Sequence, residues 1–87
     1  MKNKDCERVF KRLYELRNSR HYLELHDFAD LNLYSDQLGE CLEYLASVGW
    51  AYAGLHRASA VGAHIDSVAA QITPEGAEAF EEDMHLS

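Results

Sequence analysis

Residues 35–50, SDQLGECLEYLASVGW, constrain the fold more than any other stretch of the chain. Leu38, Cys41, Leu42, Leu45 and Val48 recur at three- and four-residue spacing, which makes one apolar stripe on an α-helix. Ser35 has the side chain of an N-cap. Gly49 stands where the helix must stop, in the left-handed conformation that glycine adopts at little cost. The next residues, WAYAGLH (50–56), place Trp50 and Tyr52 at strand spacing with alanines between. A helix that turns through one glycine into a strand must share its buried face with that strand's sheet.

The remaining segments supply the other walls of that core. Asn3 is a candidate cap for a helix over about residues 4–17. Cys6, Val9, Phe10, Leu13 and Leu16 form its apolar face, and Arg8, Lys11 and Arg12 lie opposite. Asn18-Ser19 breaks the pattern. HYLEL (21–25) alternates as a short strand would. HDFADL (26–31) suits one or two helical turns with Phe28, Ala29 and Leu31 apolar. RASAVGAH (57–64) is a loop of small residues, and IDSVAAQI (65–72) alternates again, so residues 50–72 predict a hairpin with a long tip. Thr73 caps a last helix, Pro74 fits its first position, and Ala77, Phe80 and Met84 give it an inner face. Glu81, Glu82 and Asp83 oppose the dipole at its C-terminal end and predict fraying. The expected fold is α+β, a single domain over 1–87 with a three-helix core, a β-hairpin and a C-terminal helix. With 87 residues the core is thin, so nearly every large apolar side chain is needed in it.

FADLNLYSDQLGECLEYLASVGW, followed by a hairpin and ITPEG, resembles the winged helix-turn-helix of MarR-like and PadR-like bacterial regulators. The carriers are Ala29 in the short helix, Leu45, Gly49 and Trp50 where the recognition helix ends, and Ile72, Thr73, Pro74 and Gly76 after the wing. The likeness covers roughly residues 23–80. It implies that residues 35–48 are a recognition helix and the hairpin a wing, and it implies DNA binding as the family's usual activity. The sequence departs from the pattern in two ways. The segment between Ala29 and the recognition helix is one residue short. Glu40 and Glu43 also stand where arginine or lysine would meet DNA.

Charge sharpens that second departure. The net charge is −7. Residues 1–20 hold seven cations and three anions, for +4, and residues 21–87 hold Arg57 against 12 acids, for −11. Such a chain has few cations with which to displace counterions from phosphate backbones. No apolar run approaches the roughly 20 residues that span a bilayer, and MKNKDCERVF lacks the apolar core of a secretory signal. A soluble, cytoplasmic protein is expected. Cys6 and Cys41 make no CxxC motif and are expected to be two buried free thiols rather than a disulfide or metal site.

The candidate partner-binding residues are Asp36, Gln37, Glu40, Glu43 and Tyr44 on the recognition helix. Gln37 could read adenine and a carboxylate could accept from cytosine N4, yet base readout depends on phosphate contacts that these acids would repel. Gly39 in mid-helix costs about 1 kcal/mol relative to alanine; close approach by another backbone would explain it, and a merely tolerated glycine is the equal alternative. His56 and Arg57, with His64 nearby, are the wing candidates. Arg8, Lys11 and Arg12 offer a basic face on the first helix for something acidic. The five histidines show no metal-ligand spacing. No nucleophile elbow or phosphate loop is present, and a packed core this small leaves little room for a pocket. No cofactor, small-molecule substrate or enzymatic activity is expected. The preferred reading is a small regulator that binds a protein through its acidic helix face, or one that pairs with a second copy around Tyr14 and Tyr22. A winged-helix transcription regulator that reads DNA is the alternative.

Overall fold

The computed structural model describes residues 3–57 and 65–84, leaving aside the Arg57 and Met84 side chains. Asn3 starts the first helix, α1 (Lys4–Glu15), its Oδ1 accepting from the amides of Asp5 (2.8 Å) and Cys6 (3.2 Å). Cys6, Val9, Phe10 and Leu13 are buried along one side, as their spacing requires. The expected strand at 21–25 shrinks to Leu23. Its N–H donates to the Ala70 carbonyl at 2.7 Å, and its carbonyl accepts from Ala70 at 3.0 Å. The strand stops there because a 3-10 helix, Leu25–Leu31, begins at once, with the Glu24 amide donating to Asp27 Oδ2. Phe28 and Leu31 bury from it, whereas Ala29 is exposed. Asn32 ends it with φ 57°.

The second helix, α2, runs Ser35–Ser47. Tyr34, rather than Ser35, is its N-cap, and the Tyr34 amide donates to Gln37 Oε1 at 3.0 Å. Leu38, Cys41, Leu42 and Leu45 are buried. Val48, expected in the same stripe, caps the C-terminus and is 42% exposed. Gly49 follows with φ +82°, the left-handed stop that its place predicts. Strands β1 (Ala51–Arg57) and β2 (Ile65–Ile72) pair antiparallel from Ala51↔Ile72 to Leu55↔Val68, with an irregularity between His56 and Arg57. Helix α3, Pro74–Met84, closes the chain. Thr73 is buried and joins three elements: its hydroxyl donates to the Gly49 carbonyl (2.7 Å) and accepts from Gly76 N (2.9 Å), while its amide donates to the Trp50 carbonyl. Gly76 is required there, since a Cβ would overlap the Trp50 carbonyl.

The molecule is therefore α+β: helices around a two-stranded antiparallel hairpin, sharing one buried apolar cluster. The aromatic residues fasten α1 and α3 to the base of the hairpin. The Trp50 ring stacks on Phe10 (centroids 5.2 Å apart), and Phe10 meets the edge of Phe80 at 5.3 Å. No described helix is long and apolar enough to cross a membrane.

Cys6 and Cys41 are not free thiols, contrary to expectation. They form a disulfide that ties α1 to α2, with 5.0 Å between the Cα atoms. Each lies on the buried stripe of its own helix, and packing the two stripes together brings the sulfurs into contact.

Candidate interaction surface

Helical geometry divides α2 between core and solvent. Leu38, Leu42 and Leu45 point inward, and Asp36, Gln37, Glu40, Glu43 and Tyr44 are all exposed on the opposite side. That side carries three carboxylates, and α2 itself contains no lysine or arginine. Gln37 has its side-chain oxygen engaged at the helix start, so only the other end of its amide stays turned outward.

Two grooves flank this face, more relief than so small a core was expected to leave. The first, of about 730 Å³, runs between α2 and the start of α1 and is lined by Asn3, Asp5, Cys6, Gln37, Glu40, Cys41 and Tyr44. The disulfide belongs to its wall, so the crosslink fixes its width. The second, of about 640 Å³, lies between α2 and β1 and is lined by Glu43, Ala46, Ser47, Ala53 and Leu55. Gly39 is buried on the hairpin side of α2, where a Cβ would collide with Ile65 Cδ1. The close approach expected at Gly39 is real, but it is made by a side chain of β2 rather than by a backbone.

On the basic face of α1, Arg12 and Arg8 make contacts within the molecule. Arg12 donates to both carboxylate oxygens of Asp30 at 2.7 Å, to the Asp27 carbonyl, and lies near Glu15. Its guanidinium holds the Asp30 carboxyl down to about 2, chiefly through these hydrogen bonds, and Asp30 in turn raises the Arg12 pKa. Arg8 donates to the Leu31 carbonyl and to Asp5. Arg8 thus satisfies the last carbonyl of the 3-10 helix, where cations are favoured, and Arg12 one within it. Of the residues expected to offer a basic docking face, Arg12 is turned to the 3-10 helix, whereas Arg8 keeps 46% of its side chain exposed and Lys11 is exposed.

Of the two tyrosines expected at the centre of a contact with a second copy, Tyr14 packs within the molecule. Tyr14 stacks on Phe80 with centroids 4.4 Å apart, and the Arg17 guanidinium sits 4.1 Å over its ring. Its hydroxyl donates to Glu81 Oε2 at 2.6 Å, a bond that raises the phenol's pKa. Only Tyr22 of that pair is left outward, 54% exposed.

At the hairpin, His56 Nδ1 pairs across the strands with Asp66 Oδ1. The Arg57 side chain and His64 lie outside the described residues. Among the described residues, no three His, Cys, Asp or Glu side chains gather as a metal site requires. The feature that sequence reasoning missed is the disulfide at the first groove. Its only signal was that both cysteines fall on apolar stripes. Compared with protein-family models, curated proteins and solved structures, the chain matches none of them.

Proposed function

We propose that this chain is a small winged-helix regulatory protein that acts by binding another protein through the anionic face of α2, without catalysis of its own. Several features support the winged-helix reading. The order is helix, Leu23 bridge, short helix, α2, hairpin, α3. Gly49 and Thr73 also join α2, β1 and α3 at one point. The observation that carries the functional reading is the outward side of α2. Asp36, Glu40 and Glu43 share it with Tyr44, and α2 has no cation. A DNA reader needs positive charge there to hold phosphates before bases can be read. A face built of carboxylates and a tyrosine is instead suited to a basic protein surface, with the ring supplying contact area.

The test is a nuclease-treated pull-down from the native cell with the wild-type chain and a Glu40→Lys, Glu43→Lys variant. Fluorescence anisotropy against random duplex DNA at several salt concentrations runs in parallel. The expected result is a nuclease-resistant protein partner that the charge-reversed variant loses, with little affinity for the duplex at physiological salt. Tight DNA binding that falls steeply with salt would overturn the proposal and establish the DNA-reading alternative.

A further inference from the structure

The Cys6–Cys41 bond lies where a reductant from solution can reach it. Both half-cystines line the groove between α1 and α2, and Cys6 keeps 7% of its surface exposed against 3% for Cys41. They are the chain's two cysteines, so no third thiol of the protein can carry the bond to another partner. Opening it needs an outside thiol. Closing it needs only the same two sulfurs, whose Cα atoms stand 5.0 Å apart.

The bond also sits at a particular place in α1. From Arg8 onward the helix is fastened by contacts that do not involve sulfur. Arg8 donates to the Leu31 carbonyl, Arg12 holds Asp30, Phe10 lies against Trp50 and Phe80, and Tyr14 stacks on Phe80. The first turn is built differently. Asn3 and Lys4 are exposed, Asp5 and Glu7 are half-buried, and Cys6 is buried. Asn3 and Asp5 direct their side chains to α1 itself, one as its cap and the other towards Arg8. Cys6 is thus the residue that carries this turn into the core, and it does so through the crosslink. The same turn is one wall of the groove: Asn3, Asp5 and Cys6 face Glu40, Cys41 and Tyr44.

We propose that Cys6–Cys41 is a reversible thiol–disulfide latch, opened in the folded protein by a dithiol reductant, which sets whether the first turn of α1 stands as a wall of the groove beside α2. A thiolate of the dithiol attacks Cys6 Sγ, the half-cystine with more exposed surface. A mixed disulfide forms, the Cys6–Cys41 bond breaks, and its electron pair leaves on Cys41 Sγ, which takes a proton. The second thiol of the reductant then displaces Cys6 Sγ, which is protonated in turn, and the dithiol departs as its own disulfide. Two electrons and two protons have passed to the protein. With the crosslink gone, Cys6 brings only a small thiol side chain to the core, and residues 3–7 fray. Beyond Arg8, α1 stays docked through its arginines and aromatic rings. The groove therefore exists in the oxidised protein and opens in the reduced one. The latch stands on the crosslink and the packing alone and does not rest on the protein-binding reading.

The test follows the full chain, labelled with ¹⁵N, before and after dithiothreitol at a temperature well below its melting point. Alkylation counts thiols, and backbone relaxation reports order. No free thiol is expected before treatment and two after it, with the amide signals of β1 and β2 retained. Order parameters at residues 4–7 should fall from about 0.85 to below about 0.6 and hold at residues 9–15. Removing the dithiothreitol and adding its oxidised form should restore the first spectrum. A Cys6→Ala, Cys41→Ala variant should match the reduced protein and ignore dithiothreitol; the reduced wild type gives the same readout should that variant fail to fold. Two free thiols at the outset would overturn the latch. So would a bond that yields only as fast as the whole chain unfolds, loss of the β1 and β2 signals on reduction, or a first turn that stays ordered without the bond. No partner enters these measurements, so their failure is distinct from failure of the charge-reversed pull-down.

Discussion

Breaking the Cys6–Cys41 bond should cost this protein a large part of its stability. The crosslink spans 35 residues of sequence, and closing a loop of that length in the unfolded chain removes entropy worth about 4 kcal/mol. A domain of this size has a total stability on the order of 5–10 kcal/mol, and each kcal/mol moves its midpoint by roughly 4–8 °C. Reduction should therefore lower the melting temperature by roughly 15–30 °C. The assay is calorimetry with and without a phosphine reductant, after alkylation under denaturing conditions has counted free thiols in the untreated protein. Alanine variants separate the bond from the packing of its sulfurs, because Cys6 and Cys41 are only 7% and 3% exposed. Cys6→Ala alone already breaks the bond, so adding Cys41→Ala should cost little more, and the two changes should be far from additive. A melting temperature that moves by only a degree or two on full reduction, or single variants whose losses simply add, would refute the reasoning.

Three other expectations follow from packing and charge. Gly39→Ala should destabilise by about 1–3 kcal/mol through the collision with Ile65, reversing the gain of about 1 kcal/mol that alanine brings to an open helix; denaturant melts of this variant and of Gly39→Ala with Ile65→Val check it, the second recovering most of the loss. Leu42→Asp should abolish folding by circular dichroism because the site is fully buried, whereas Glu43→Gln should leave the melting temperature nearly unchanged. Asp30 has its folded pKa depressed from 3.8 to about 2, so its contribution is present above pH 4 and lost as pH falls from about 4 towards 2; Asp30→Asn should flatten that part of the stability-against-pH profile.

The sequence was legible wherever one element settles its own conformation. The stripe of Leu38, Cys41, Leu42 and Leu45, the left-handed Gly49 and the Thr73-Pro74 start of α3 all follow from local spacing and backbone chemistry. The ring of Trp50 stacks on Phe10 from α1. Periodicity says that a ring turns inward but not which helix crosses above it. The same limit hid the disulfide, whose two half-cystines belong to helices that meet only after packing. Val48 and the strand at 21–25 were misread for a different reason. An end cap and a 3-10 turn cut short patterns that sequence spacing would have let continue.

Charge segregation looked like the outline of a two-ended molecule, basic over residues 1–20 and acidic beyond. Folding changes its meaning. Arg12 turns to Asp30 and Glu15, Arg8 to Asp5 and the Leu31 carbonyl, and Arg17 to the Tyr14 ring whose hydroxyl holds Glu81. These contacts spend cations of the N-terminal segment on α1 itself, the 3-10 helix and α3. The acids of α2 are exposed on a different helix. Exposed pairs of this kind add only about 0–1 kcal/mol each, so their consequence is directional rather than energetic. They turn positive charge of the N-terminal segment towards α1 itself, the 3-10 helix and α3.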